Sequence, residues 1–188
     1  MALPSLAKQK ILEDHDYNLC NTYLFMNTLI LFDFLKDARV QNWNVVDDTV
    51  MGGVSAGNMS LTAEGHGLFH GHVSLDNNGG FSSIRYDAGK TNLQGYNKFV
   101  IAVQGDGKAY QFRVKEKGSQ YYSYIFSFTT TADWQIIEIP FSSMVPSFRG
   151  RSVDVPNYPG QFLEEVGFLI SNKMEEDFKL AIDYISVQ

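Results

Sequence analysis

The sequence has one cysteine, Cys20, among 188 residues, and a single cysteine cannot form an internal disulfide. This excludes the small disulfide-rich scaffolds. Basic residues are also few: 15 Lys and Arg stand against 21 Asp and Glu, for a net charge of −6. Proteins that bind nucleic acid neutralise its phosphates with a basic stripe, which this sequence does not contain. We therefore expect no nucleic-acid partner.

Long apolar runs are absent as well. The apolar stretch 23–34 is interrupted by Asn27 and Asp33, and it is far shorter than the ~20 residues that a membrane-spanning helix needs. Residues 1–16 mix Lys8 and Lys10 with acidic residues and do not resemble a secretory signal. We expect a cytoplasmic protein with no membrane span. We treat residues 1–26 as an N-terminal extension whose order the sequence does not predict.

Helical periodicity is nearly missing after residue 27, and an alternation of apolar and polar residues takes its place. Tyr110, Phe112 and Val114 alternate with polar neighbours, and aromatic residues recur at every second position from Tyr122 to Phe128. This period is typical of half-buried strands, although such an aromatic stripe on a surface would also suit sugar stacking. We predict that residues 27–188 form one all-β domain, a jelly-roll sandwich of two antiparallel sheets.

Turn-forming residues separate the predicted strands. The cluster 76–80 combines Asn and Gly, which accept positive φ, and it predicts a hairpin between the strands before and after it. Between 140 and 160, prolines and the basic residues Arg149 and Arg151 interrupt the pattern and predict a long loop. Loops of this length inside a compact domain are usually functional.

The stretch 43–55 is the most distinctive part of the chain. It begins with Trp43 and β-branched residues that suit a strand, and it continues with Asp47, Asp48, Gly52 and Gly53. Acidic residues at a strand end bind backbone N–H groups and stabilise a turn, and paired glycines supply positive φ or a close backbone approach. Consecutive strand residues point to opposite faces, so the two aspartates do not suit general acid–base catalysis. We expect a structural role for them.

His66, His70 and His72 are the candidate metal ligands. His70 and His72 share one face of a strand by alternation, but a zinc site needs further ligands and supporting hydrogen bonds. A solvent-facing strand explains the same pattern. We expect no bound metal and no other cofactor.

Arginines are the most promising binding residues. Arg85 and Arg113 alternate outward from apolar strand faces, and an arginine fork binds carboxylates in a bidentate manner. For at least one of them, however, we expect pairing with Asp47, Asp48 or Asp106, which would hold one end of the sandwich together. The predicted interaction or ligand surface comprises Asp47, Asp48, Asn77, Asn78, Arg85, Tyr110, Gln111, Arg113, Arg149 and Arg151.

Several motifs occur in a fixed order along the chain, at 43–55, 78–85, 105–107, 110–113 and 166–170. Together they resemble the complex I intermediate-associated protein 30 family, over about residues 29–188. The resemblance implies a galactose-binding-like β-sandwich. It also implies a non-enzymatic protein-interaction module that acts as an assembly factor or chaperone, because mitochondrial members assist assembly of NADH dehydrogenase, the respiratory complex I.

The resemblance also bears on partners and location. The expected partners are protein subunits of complex I or of another multi-subunit complex. Residues 1–26 do not show the Arg- and Ser-rich pattern of a mitochondrial presequence. We therefore expect a bacterial member that works in the cytoplasm, including at the periphery of the inner membrane. A carbohydrate-binding module is the alternative function, suggested by the galactose-binding-like fold, with a glycan as the ligand.

Overall fold

A computed structural model describes residues 28–188. These residues form thirteen strands and four short 3-10 helices, and no α-helix occurs among them. The strands are β1 (Leu29–Asp33), β2 (Trp43–Asp47), β3 (Ala56–Leu61), β4 (Gly67–Val73), β5 (Ser82–Asn92), β6 (Lys98–Gln104), β7 (Ala109–Lys115), β8 (Ser123–Thr129), β9 (Gln135–Pro140), β10 (Val145–Phe148), β11 (Arg151–Ser152), β12 (Phe162–Ile170) and β13 (Glu176–Val187). The 3-10 helices span Val40–Asn42, Asp48–Met51, Asp76–Asn78 and Phe141–Ser143.

The strands form two antiparallel sheets. The six-stranded sheet has the order β3-β4-β13-β6-β9, with β1 also paired to β13, and the seven-stranded sheet has the order β11-β10-β8-β7-β12-β5-β2. This confirms the predicted sandwich of two antiparallel sheets. Within 28–188, no helix is long and apolar enough to cross a bilayer.

Alternation places one face of each sheet in a shared core. Phe99 of β6 and Phe112 of β7 belong to opposite sheets, and their ring centroids are 5.2 Å apart. Phe168 of β12 continues the cluster, 5.4 Å from Phe112. Burying a side chain of this size contributes roughly 1.5–3 kcal/mol. The aromatic stripe of β8 also faces this core: Tyr124 and Phe128 are buried, which confirms the core interpretation of that pattern.

The predicted hairpin at 76–80 is wrong. Strand β4 before it belongs to the six-stranded sheet and β5 after it to the seven-stranded sheet, so this segment carries the chain from one sheet to the other. The expected backbone conformation is nevertheless present, since Asn77 and Asn78 have φ of 55° and 61°. Turn residues determine local dihedral angles, whereas the sheet that a strand joins depends on distant partners.

The predicted long loop at 140–160 is also wrong. It contains a 3-10 helix and the strands β10 and β11, which extend the seven-stranded sheet beyond β8. Pro146 lies in β10 opposite Tyr124, near the edge of the sheet, where proline is tolerated in strands. Strand β3, which the alternation did not reveal, pairs with β4. The predicted extension 1–26 lies outside the described residues, and the domain boundary at residue 27 stays a prediction.

Candidate functional site

Asp48 binds both the segment that precedes β3 and the segment that precedes β5. Its carboxylate is buried and accepts hydrogen bonds from the backbone N–H of Ser55 (3.1 Å), the Ser55 hydroxyl (2.5 Å), and the N–H groups of Gly80 (2.6 Å) and Phe81 (3.3 Å). Burial raises the pKa of Asp48, but these donors outweigh burial and hold the pKa below its ordinary value. The carboxylate therefore connects the starts of two strands in different sheets.

Gly52, Gly53 and Asp47, next to Asp48, support the same link between the two sheets. Gly52 has a φ of 88°, and a Cβ on Gly53 would lie 2.2 Å from Oδ1 of Asp48. Gly52 thus supplies the predicted positive φ, whereas Gly53 gives room to the Asp48 side chain and not to a neighbouring backbone. Asp47 accepts hydrogen bonds from the N–H of Gly57 (3.0 Å) and the hydroxyl of Ser82 (2.5 Å). The structural role expected for the two aspartates is confirmed.

The expected pairing of an arginine with these carboxylates is wrong. Asp47 and Asp48 are occupied by serines and backbone N–H groups, and Asp106 pairs with Lys108 at 2.9 Å. In the part of the chain that the structure describes, neither Arg85 nor Arg113 forms an ion pair. Both guanidinium groups are thus left for other interactions.

The three histidines bind different partners on the six-stranded sheet. His66 Nδ1 lies 3.2 Å from a carboxylate oxygen of Asp183, and His72 Nδ1 lies 2.8 Å from one of Asp177. His70 instead contacts the hydroxyl of Ser60. Among residues 28–188, no group of three or more His, Cys, Asp and Glu side chains has an arrangement that could hold a metal ion. The hydrogen bond that the His72 ring donates to Asp177 raises the pKa of His72, with Glu175 contributing further.

Arg85 and Arg113 lie on the outer face of the seven-stranded sheet. Directly paired residues form a row across six strands. Their side chains share that face because residues that pair directly on neighbouring strands point to the same side of the sheet. We call this row the arginine row: Asn44, Arg85, Gly167, Arg113, Ile125 and Val145. The parallel row on one side contains Asp87, Glu165 and Lys115, and that on the other side contains Val46, Ser83, Leu169, Gln111 and Ser127.

Gly167 separates the two arginines of this row. It pairs with Arg85 on β5 and with Arg113 on β7, so the two cationic residues flank a position that has no side chain. A Cβ at this position would lie 2.3 Å from the carbonyl oxygen of Ile84, which only glycine avoids. Together with Ser83, Ser123 and Glu165, the arginines line a narrow depression over Gly167.

The electrostatics of the depression are unusual. Burial, together with the nearby positive charge of Arg85, lowers the pKa of Arg113 to about 10. Glu165 is the nearest offsetting charge, but its carboxylate also lies 3.5 Å from the ammonium of Lys115. The arginine row therefore carries an excess of positive charge on a protein whose net charge is −6.

The remaining predicted residues lie elsewhere. Tyr110 is buried, and its hydroxyl contacts Asp106 and the N–H of Lys179, so it cannot frame a surface. Asn77 and Asn78 are exposed on the crossover between sheets. Gln111 is the exception, since its side-chain oxygen accepts a hydrogen bond of 3.3 Å from Arg113. The structure thus brings Arg85, Gln111 and Arg113 together and separates them from the rest.

Arg149 belongs to a second surface at the end of β10. Its guanidinium lies 5.3 Å from the ring centre of Phe148, and the Phe148 ring lies 5.3 Å from that of Tyr121. Tyr121 also packs edge-on against Tyr122 at 5.1 Å. We call Tyr121, Tyr122, Phe148 and Arg149 the aromatic corner. Sequence analysis did not single out Tyr121 or Phe148, because Tyr121 precedes β8 and Phe148 lies in the supposed loop.

The aromatic corner is exposed. Tyr121 is 64% accessible and Phe148 39%, and Val145, at the end of the arginine row, is 46% accessible. Arg151, on the two-residue edge strand β11, pairs with Phe148 and is exposed as well. The outer face of the seven-stranded sheet therefore runs from the cationic depression to the exposed Val145, whereas Phe148 shares the opposite face with Pro146 by alternation.

Comparison with known proteins first identifies a family. The family described as complex I intermediate-associated protein 30 matches residues 32–182. The mitochondrial protein of that name from Drosophila melanogaster is 28% identical over an alignment 208 residues long, which covers 97% of this chain and 70% of the fly protein. The mouse protein is 33% identical over 100 residues, covering 49% of this chain and 30% of its own length. This chain thus spans less than a third of the mouse relative.

Comparison with solved structures identifies the fold. The family 11 carbohydrate-binding module of a cellulosomal cellulase of Clostridium thermocellum superimposes with a TM-score of 0.65 at 18% identity, covering 86% of this chain and 94% of the module. The family 11 module in complex with a mixed-linked tetrasaccharide gives a TM-score of 0.63 at 19% identity, with 85% and 94% covered. At such identities the likeness shows the shared sandwich fold alone.

Proposed function

The chain belongs to the complex I intermediate-associated protein 30 family, and from this membership we propose that it is a non-enzymatic protein-interaction module acting as an assembly factor or chaperone. The proposed partners are subunits of respiratory complex I, which the names of its relatives mention, or of another multi-subunit complex. The cytoplasmic location and the bacterial origin expected from the sequence are part of the proposal, and cell fractionation tests the location.

One observation about the molecule supports this proposal: the aromatic corner exposes large rings beside a cation. Tyrosine, phenylalanine and arginine are enriched in the centres of protein interfaces, where they contribute most of the binding energy. Exposed aromatic residues that touch one another, such as Tyr121 and Phe148, form a patch instead of the scattered apolar residues of an ordinary surface. A protein partner that covers this corner would bury both rings.

Affinity purification of the tagged chain from its own cells, followed by mass spectrometry, tests the proposal. We expect subunits of complex I to co-purify, and we expect the double variant Tyr121→Ser, Phe148→Ser to recover at least tenfold less of them. Met174→Ser is the matched control, because Met174 is 54% exposed but does not belong to the corner. Full recovery by the folded double variant would contradict the role of the corner. A preparation of the unaltered chain without complex subunits would contradict the proposed function.

The second candidate is a glycan-binding module, favoured by the exposed ring of Tyr121. Aromatic side chains and a few polar groups commonly line small-molecule sites. The family 11 carbohydrate-binding module that binds a mixed-linked tetrasaccharide has the same fold. A glycan array distinguishes the two candidates. Saturable binding to one glycan class that Tyr121→Ser abolishes would favour this alternative.

A further inference from the structure

We infer that Arg85 and Arg113 form a binding site for a carboxylate group, presented by an acidic segment of the partner protein. This inference rests on the proposed protein-binding function and adds the chemistry that the partner must offer. The site is the depression over Gly167, on the outer face of the seven-stranded sheet.

The register of the strands positions the two arginines for one ligand. Both pair directly with Gly167, one from each side, so their Cα atoms are about two strand spacings apart, or roughly 9–10 Å. Long side chains on the same face can reach the space between them. Since Gly167 has no side chain and cannot accept one, a narrow depression remains between the two arginines.

The charges make an anion the natural occupant. Two guanidinium groups stand on one face, and the described residues supply an ion pair to neither of them. Like charges brought together in a half-buried site destabilise the protein unless an opposite charge joins them. Gln111 accepts one hydrogen bond from Arg113 but carries no charge. Glu165 is one offsetting charge, but it also lies 3.5 Å from Lys115, so a bound anion would add the second negative charge that the two arginines lack.

A carboxylate fits this site better than other anions from a protein surface. The planar guanidinium group binds a carboxylate through two parallel N–H···O bonds. Beyond Arg113 the row continues through Ile125 to the exposed Val145, so a ligand that enters the depression also meets apolar surface. A peptide segment that combines an acidic side chain with apolar neighbours matches this sequence of contacts.

Nuclear magnetic resonance of the purified full chain tests the inference without any partner. The probe is the peptide acetyl-Glu-Glu-Glu-amide, and its all-Gln counterpart is the control peptide. We expect the Glu peptide to shift the Nε–H signals of Arg85 and Arg113 saturably, and we expect no shift with the Gln peptide. Charge-assisted hydrogen bonds of this kind contribute enough to make Arg113→Gln weaken the affinity roughly tenfold or more.

Arg39→Gln is the matched control variant, because it removes the same charge from an exposed arginine that belongs to neither the arginine row nor the predicted interaction surface. We expect it to bind the Glu peptide like the unaltered chain, and we expect Arg113→Gln without peptide to melt no lower than the unaltered chain. Absent or non-saturable shifts, or equal loss of affinity in both variants, would overturn the inference. So would glutarate or inorganic phosphate acting at lower concentration than the peptide. Because the assay contains no complex subunit, its failure is distinct from failed co-purification.

Discussion

Replacing Asp48 by alanine removes one carboxylate that serves two sheets. In the folded protein this carboxylate is buried and accepts hydrogen bonds from Ser55, Gly80 and Phe81. Alanine leaves the backbone N–H groups of all three residues without that acceptor. Buried donors without partners are costly, because unfolding returns them to water.

The size of the effect follows from the bond lengths. Three of the bonds are between 2.5 and 3.1 Å, and the fourth, from Phe81, is weaker at 3.3 Å. A hydrogen bond to a charged group contributes roughly 1.5–3 kcal/mol, and water entering the vacated space replaces part of it. We therefore expect Asp48→Ala to lower the free energy of unfolding by about 4 kcal/mol. In a chain of this length that corresponds to a fall in Tm of roughly 8–16 °C.

Urea unfolding followed by circular dichroism measures this loss, with Asp37→Ala as the control. Asp37 forms an ion pair with Arg39 at the surface, where water screens the charges, so its replacement should leave the free energy of unfolding nearly unchanged. Despite burial, the pKa of folded Asp48 is held below its ordinary value by its hydrogen-bond donors, so its stabilisation is present above the unfolded pKa and is lost as pH falls through the folded pKa. Asp48→Ala should therefore flatten the acid limb of the stability curve. A loss below about 1 kcal/mol, or an unchanged acid limb, would refute this account.

Two further predictions concern the same sandwich. Gly53→Ala should lower the Tm by several degrees, because the new Cβ would lie 2.2 Å from Asp48. Gly118→Ala is the control and should leave the Tm unchanged, because the nearest atom to its new Cβ would be 3.7 Å away. Equal Tm values of the two variants would contradict the close-approach role of Gly53. The pKa of His72 measured by NMR should lie above its ordinary value, and Asp177→Asn should lower it, because the carboxylate of Asp177 favours the protonated ring. A pKa that the substitution leaves unchanged would assign the shift to another group. The associated stability is present below the unfolded pKa of His72 and is lost as pH rises through the folded one.

Local chemistry was predictable from the sequence. The role of Gly52 and the positive φ at Asn77 and Asn78 follow from properties of those residues and their immediate neighbours. The burial of Tyr124 follows from period-two alternation, because a strand with one apolar face must cover it. These features involve a few consecutive residues each.

Pairing between distant segments was not predictable from the sequence. The segment 76–80 has the composition of a hairpin, yet it joins two sheets, because β5 pairs with β12 and β2 instead of with β4. Similarly, the expected partners of the arginines were nearby motif carboxylates, but Asp48 is occupied by Ser55 and backbone N–H groups. Hydrogen-bond competition of this kind is decided only when all the donors are in place.

The sequence by itself determined the strands' periodicity, the structural turn at 43–55, the family, and the outward direction of Arg85 and Arg113. Only the tertiary structure decided that these two arginines flank Gly167 and that Tyr121 meets Phe148. The physical reason is that alternation specifies the face on which a side chain lies, whereas strand order and register specify its neighbours. Register depends on pairing between residues as distant as Arg85 and Gly167, which no local pattern records.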